Sequence, residues 1–486
     1  MGIKIYNTLT RKKSEFIPIE NGKVKMYVCG VTVYDLCHIG HARSVVVFDM
    51  IYRYFLFKGF DVKYVRNFTD VDDKIINRAI KEKKSADEIA QRYINEFYKD
   101  MDALLVLRPT VEPRATQHIP QIIESIKGLI DKGFAYESNG NIYFSVEKFK
   151  DYGKLSRRKL DDMIAGARVC TVNGKQHPLD FALWKKSKPG EPYWHSPWGD
   201  GRPGWHIECS VMSQFYLGET FDIHGGGQDL IFPHHENEIA QAEALTGKPF
   251  VHYWIHNGFV KINKEKMSKS LGNFLTIREI LNDYHPEVLR FFLLSNHYRS
   301  PIDFSYDMLN KAENNLEKFY SFLLEAERIK NEKPISSSSE LIDPFSKQIR
   351  ESKEEWEKAM DDDFNSAKAI GHLFSLLRAC NHFIHEEGYK YEDGQKLLGE
   401  AADLIKRFGE VFGIFSEKPE HFIKKLKIKK EKSRSIDPAI IEDLIKKRAV
   451  YREKKEWEKA DEIRNKLLEM GIQIMDTPKG TTWKVL

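Results

Sequence analysis

The sequence predicts an α/β protein in which a parallel sheet is interrupted by a long insertion and followed by a helical tail. Three observations predict it: a strand, a helix and a strand in close succession near the start, a return of strand character from Phe221, and apolar residues at helix spacing beyond Asn310. Lys25-Met26-Tyr27-Val28-Cys29-Gly30 reads as a short buried strand ending at glycine, Ala42 to Leu56 as a packed helix and Val62 to Asn67 as a second strand. That spacing predicts a right-handed crossover. It sets Cys29 and the turn His38-Ile39-Gly40-His41 at a strand's carboxyl end, where parallel sheets bind ligands.

Asp72-Asp73 opens a charged helical stretch. The segment from about Pro109 to Gly204 mixes short helices with the Gly- and Pro-rich run Lys188 to Gly204 and reads as an insertion. Phe221-Asp222-Ile223-His224 then leads into Gly225-Gly226-Gly227, His234 to Leu245 is helical in pattern, and Val251 to Lys261 is a further strand. Ala312 to Arg328 and Ser366 to Cys380 carry helix periodicity, with a loop from Lys333-Pro334 through Ser336 to Ser339 between them. A basic stretch separates these helices from a final module, Pro438 to Leu486.

The 486 residues are 41% hydrophobic and 30% charged, an ordinary balance for a chain that buries a sizeable core. Lys plus Arg, 76, barely exceeds Asp plus Glu, 72, so net charge identifies no partner. Its distribution says more. Lys424, Lys425, Lys427, Lys429, Lys430, Lys432 and Arg434 crowd a stretch whose single acid is Glu431, and it reads either as a nucleic-acid contact or as a solvated linker. The five cysteines, Cys29, Cys37, Cys170, Cys209 and Cys380, show no disulfide-scaffold spacing and fit reduced thiols. No apolar signal core opens the sequence and no apolar run is long enough to span a bilayer, so a cytoplasmic protein without a membrane partner is expected.

Two strings far apart carry the chemistry. His38-Ile39-Gly40-His41 and Lys266-Met267-Ser268-Lys269-Ser270 offer imidazoles and ammoniums suited to gripping a polyphosphate. No Gly-Lys pair is followed by Ser or Thr, and the triple glycine does not continue as a dinucleotide fingerprint, so ATP would be held without a Walker loop. His234 and Glu238, four apart in a helical pattern, share one face; with Cys29 and Cys209 they form a Cys, Cys, His, Glu metal set. His206, His224, His235 and His256 are rival nitrogens, and both cysteines also read as small buried hydrophobes.

Cys29-Gly30-Val31-Thr32-Val33-Tyr34-Asp35-Leu36-Cys37 with the His38 to Arg43 run, Asn67-Phe68-Thr69-Asp70-Val71-Asp72-Asp73-Lys74 and Gly204-Trp205-His206-Ile207-Glu208-Cys209-Ser210 resemble the cysteinyl-tRNA synthetases, as does His224 through Glu238. The likeness runs essentially end to end; a departure is Val31, where many members carry Pro, which touches local turn geometry. The resemblance implies a class I synthetase Rossmann-type parallel-sheet catalytic domain with an insertion, a helical bundle and a small C-terminal anticodon-binding module. On that plan the catalytic domain spans 1–110 and 205–260, the connective insertion 111–204, a stem-contact region with the Lys266 loop 261–312, the bundle 313–418, and the basic linker with the anticodon module 419–486.

It implies cysteine–tRNA ligation driven by ATP. His38, Gly40, His41, Lys266, Ser268, Lys269 and Ser270 would bind ATP, with His38, His41, Lys266 and Lys269 catalytic; Gly30, Thr69, Trp205 and Asp229 would bind L-cysteine. One Zn²⁺ on Cys29, Cys209, His234 and Glu238 would select the substrate thiolate, since cysteine and serine differ by one atom and a soft ion separates them without editing. Substrate sulfur would enlarge the metal shell or displace Glu238. Mg²⁺ would arrive with ATP, tRNA(Cys) would be the polymer partner, and the protein would act as a monomer. Two alternatives are a ligase joining cysteine to an amino sugar in mycothiol synthesis and a silent RNA-binding regulator; the tail argues against the first and the intact site residues against the second.

Overall fold

The structure, a computed structural model, describes residues 2–160, 174–262, 265–266, 275–334, 340–434, 438–454, 456–470, 472–477 and 480–485. The chain divides into two compact units, Met1–Glu313 with Glu332–Ser416, and Asn314–Asn331 with Glu417–Leu486. In the first unit, four strands form a parallel sheet: β1 (Lys23–Thr32), β2 (Asp61–Thr69), β3 (Phe221–Gly227) and β4 (Val251–Asn257), in spatial order β4-β3-β1-β2. The crossover helices are α1 (Ile39–Phe57), between β1 and β2, and α3 (Glu236–Thr246), between β3 and β4; α2 (Trp205–Leu217) precedes β3.

α1 contains Val45-Val46-Val47, a run with weak helix propensity, yet these residues are buried together with Phe48, Met50, Ile51, Tyr54 and Phe55. Burial around nearly the whole circumference outweighs intrinsic propensity, as in helices packed on several sides. The chain progresses from β1 to β2 in one direction and from β3 to β4 in the other. The adjacent pair β1 and β3, in register through Tyr27 and His224, is therefore the topological switch point, where a crevice opens at the carboxyl ends. Gly30 creates an irregularity in β1 there: a Cβ at this position would lie 1.6 Å from the Asn67 carbonyl oxygen, so only glycine allows this approach to β2.

The insertion folds as a four-stranded antiparallel sheet, Ala135–Ser138, Asn141–Phe144, Phe181–Lys186 and Gly201–Pro203 in sequence order, around Ile142, Phe144, Leu183 and Trp184. Gly204 returns the chain to α2; a Cβ there would meet the Ala182 carbonyl oxygen at 1.9 Å.

Helices Pro286–Leu294, Ile342–Asp361, Ser366–His385 and Glu392–Phe412 complete the first unit, joined to α1 by buried charge. Arg290, fully buried, donates to Asp49 Oδ2 at 2.6 Å and to the carbonyls of Phe412 and Leu104; Asp49 also accepts from Arg53 and from the Leu107 amide. Arg43 of α1 donates to the carbonyls of Leu293, His297 and Tyr298.

In the second unit the basic stretch lies in the helix Pro419–Arg434, where Phe422 and Leu426, one turn apart, are both buried and give the helix an apolar seam. Helices Pro438–Glu453 and Trp457–Glu469 and the hairpin Ile472–Thr477/Gly480–Val485 enclose a separate core of Ile441, Leu444, Ile445, Leu467 and Ile472. Arg448 donates to both oxygens of Asp476 across it. Among the described residues no helix is long and apolar enough to cross a membrane.

Asp49→Ala leaves the Arg290 guanidinium buried without its carboxylate and is expected to destabilise the first unit by about 3–5 kcal/mol. Removing both charges in Asp49→Ala/Arg290→Met is expected to recover part of that loss. Urea denaturation followed by tryptophan fluorescence compares the two.

Candidate active site

The turn after β1 is organised by its histidines. His38 is the N-cap of α1: its Nδ1 accepts from the Gly40 amide at 3.0 Å, and His41 Nδ1 accepts from the His38 amide at 3.3 Å, a reciprocal capping box built from imidazoles. The rings stack with centroids 3.7 Å apart. Because each Nδ1 accepts, the neutral rings carry their proton on Nε2 and present a donor on that edge. That donor stands beside the positive end of a helix 19 residues long, a favourable place for phosphate oxygens. Lys266 lies in the short strand Glu265–Lys266, which pairs with Val260–Ile262; Ser268, Lys269 and Ser270 fall outside the described residues.

At the floor of the crevice four segments converge. Cys29 comes from β1 and Cys209 from the second turn of α2. His234 comes from the irregular turn before α3, and Glu238 from the first turn of α3. One ligand atom of each lies within 4.8 Å of all the others. Glu238 Oε1 is 3.0 Å from His234 Nε2 and accepts from Cys29 Sγ at 3.3 Å. The expected helix through His234 is present: after a kink at Phe232, which leaves helical geometry at φ −141° and ψ 131°, a wide helical turn carries His234 and His235 straight into α3, and the His234 imidazole reaches the Glu238 carboxylate. Three of the four are buried and Cys29 alone is partly exposed, so the cluster opens on the Cys29 side.

The rival histidines are present as well. His224 Nε2 lies 2.8 Å from Glu238 Oε2, so Cys29, His224, His235 and Glu238 form a second, overlapping donor set. His206 Nδ1 meets His234 Nδ1 at 2.9 Å, while His235, His256 and Thr8 form a hydrogen-bonded chain with 2.8 Å links. His224 Nδ1 and His235 Nε2 are buried without a hydrogen-bond partner.

Electrostatics separate these groups. The hydrogen bond from the Cys29 thiol pulls Cys209 down to about 6, whereas burial and the neighbouring Cys209 push Cys29 well above the usual thiol range. Burial opposes charge on His234, yet Glu238 and Cys209 outweigh it and hold that imidazole up at about 10. Burial likewise opposes charge on Glu238, but His224 and His234 keep its carboxyl well below the usual range. His256, by contrast, is driven down to about 3 by burial and by His224. A buried carboxylate beside two thiols, with imidazoles around it, is a donor set of the charge and softness that suits a divalent cation.

Of the residues expected to hold the amino acid, Trp205 stacks on His234 with centroids 4.2 Å apart and is partly exposed, so its face forms a wall of the cluster. Thr69 Oγ1 donates to Glu208 Oε2 at 3.0 Å, which turns its lone pairs outward as acceptors. Gly30 donates from its amide to Asn67 Oδ1 at 2.8 Å, and Asp229 stands exposed in the turn Gln228–Leu230 after β3. Asn67 and Glu208 were not singled out from sequence. Asn67 fixes the Gly30 amide and lies 3.8 Å from Cys209 Sγ, and Glu208, fully buried, sets Thr69. A polar residue within a strand and an acid inside an apolar helix were the available signals.

The family described as tRNA synthetases class I (C) catalytic domain matches residues 15–314, the DALR domain matches 355–416, and the cysteinyl-tRNA ligase anticodon binding domain matches 438–483. The chain is 56% identical over 485 residues to a cysteine–tRNA ligase of Geobacter metallireducens, covering 100% of both chains. It is 54% identical to that of Thermodesulfovibrio yellowstonii, with 99% of each covered. A solved Mycobacterium tuberculosis methionyl-tRNA synthetase in complex with methionyl-adenylate superposes with a TM-score of 0.62 over 82% of this chain and 93% of that one; at 14% identity it speaks for the fold alone. Full-length identity and the three domain matches agree that the chain belongs to the cysteine–tRNA ligase family of class I aminoacyl-tRNA synthetases.

Proposed function

We propose that this ligase selects its amino acid with a zinc ion held by Cys29, Cys209, His234 and Glu238, and charges tRNA(Cys) in two half-reactions. The observation that carries the reading is the convergence of those four ligand atoms within 4.8 Å at the switch point of the sheet. This set is preferred to the overlapping one because it supplies two thiols where the other supplies one. When bound, the ion would supply a soft Lewis acid that favours a substrate thiolate strongly over a hydroxyl.

The chain's own residues do the rest. Trp205 walls the side-chain pocket, and Thr69, Asp229 and Gly30 orient the amino group and backbone, so that the substrate carboxylate faces the ATP α-phosphate. A carboxylate oxygen bonds to that phosphorus as the bond to the β-phosphate breaks, and pyrophosphate leaves with the electron pair. His38 and His41 donate to phosphate oxygens in the transition state; Gly40 permits close approach, Lys266 and Lys269 neutralise the departing phosphates and Ser268 and Ser270 offer them hydroxyl donors, with Mg²⁺ carried in by ATP. A hydroxyl of the terminal adenosine of tRNA then attacks the acyl carbon of cysteinyl-adenylate and AMP leaves. The 438–483 match supports reading the C-terminal module as the anticodon contact. The free cysteines fit a cytoplasmic location, and the chain is read as a monomer.

Cysteine-dependent ATP–pyrophosphate exchange, followed by charging of purified tRNA, tests the reaction; metal-replete protein without exchange would overturn it. Cys209→Ser is expected to drop zinc content well below one ion per chain by atomic absorption and to cut discrimination of cysteine over serine at least about a hundredfold. His38→Ala is expected to lower kcat for exchange by about a hundredfold or more with a smaller change in KM for ATP, measured by steady-state exchange at saturating cysteine.

A further inference from the structure

Asp100 is a buried carboxylate on the otherwise amphipathic helix Ala86–Ala103, and one of its oxygens, Oδ2, has no hydrogen bond. Desolvating an acid there is costly unless a partner compensates. The partner is Arg278: its Nε donates to Asp100 Oδ1 at 2.7 Å, its Nη2 donates to the Glu96 carbonyl at 3.2 Å, and the guanidinium pairs with the Glu96 carboxylate. The Asp100 carboxylate also faces the backbone amide of Cys37.

Arg278 sits in the first turn of the helix Ile277–Asp283, whose cap Thr276 forms a reciprocal capping box with Glu279. Immediately before it the chain lies against the histidine turn: His38 and Thr276 form an antiparallel bridge, Ile39 donates to the Leu275 carbonyl, and Ile277 donates to the Cys37 carbonyl, both at 3.1 Å. The backbone on either side of His38 is thus clamped to a segment anchored through Arg278 and Asp100 to a separate helix.

We propose that the Asp100–Arg278 ion pair is a positioning device for His38, fixing the angle at which its Nε2 meets the phosphates. This rests on the reading of His38 as a phosphate contact. Ground-state ATP affinity is spread over many contacts, but transition-state stabilisation depends steeply on donor placement, and a shift of about 1 Å costs on the order of a hundredfold. Arg278 is a positioning residue: it acts through the Leu275–Ile277 backbone and touches no reacting atom.

The test is a double-variant cycle on full-length, zinc-loaded protein, comparing Arg278→Ala, His38→Ala and the pair in cysteine-dependent ATP–pyrophosphate exchange, with melting temperatures recorded. The Arg278 side chain is 39% exposed, so its truncation is compatible with folding. Arg278→Ala is expected to lower kcat about tenfold with KM for ATP within about twofold, Arg278→Lys to recover most of the loss, and Arg278→Ala to cost nothing further in the His38→Ala background. If Arg278→Ala lowers the melting temperature, Arg278→Gln replaces it in the cycle. An equal loss in both backgrounds, or none in the wild-type background, overturns the inference and leaves the role of His38 standing. Undiminished exchange by His38→Ala overturns both.

Discussion

A single desolvated carboxylate, Glu238, organises the centre of this molecule. It has no solvent exposure, yet it carries charge, and it meets Cys29 from β1, His224 from β3 and His234 from the turn before α3. A buried anion persists only where cations or donors compensate for its lost hydration. Those compensating groups come from segments more than 200 residues apart in sequence, since Cys29 and Glu238 are separated by 209 positions. The requirement therefore ties the two halves of the sheet together at the switch point where the crevice opens.

The second organising feature is the end of β1, where the imidazoles proposed to meet phosphate also cap the helix behind them. Using Nδ1 of His38 and His41 for capping stabilises α1 and sets the tautomer that makes Nε2 a donor, so one pair of bonds serves structure and chemistry together. The turn is braced from the far side by Leu275–Ile277, which brings the downstream end of the Lys266 loop's flank to the same place. The His38 turn and the Leu275–Ile277 segment, separated by more than two hundred residues, are neighbours through main-chain bonds, which do not depend on side-chain identity.

Specificity and rigidity are divided between different layers. On the proposed reading the metal cluster and Trp205 would address the one atom that distinguishes cysteine from serine, while the α1 joint, with Arg290 on Asp49 and Arg43 on the Leu293 to Tyr298 carbonyls, holds the frame against the helices that follow. Such buried guanidinium networks contribute fixed geometry more than net stability, because their desolvation offsets much of the attraction.

Alternation of apolar strands and a packed helix determined the α/β class from sequence alone, because a two-residue and a 3.6-residue period cannot be satisfied by one conformation. Thiols, imidazoles and a carboxylate at Cys29, Cys209, His234, Glu238, His38 and His41 made metal and phosphate chemistry candidates from sequence, with the cysteines also readable as small buried hydrophobes. Periodicity placed His234 in a helix, as it is, but gave no sign of the kink at Phe232 just before it, and charge composition left Lys424 to Arg434 open between a nucleic-acid contact and a linker without showing that the stretch lies in a helix with Phe422 and Leu426 buried. Tertiary structure alone decided which of the five candidate imidazoles meet Glu238, that Asn67 and Glu208 support the site from behind, and that Asp100 reaches Arg278. Those facts are distances between remote segments, and no local pattern encodes a distance until the sheet brings its strand ends together.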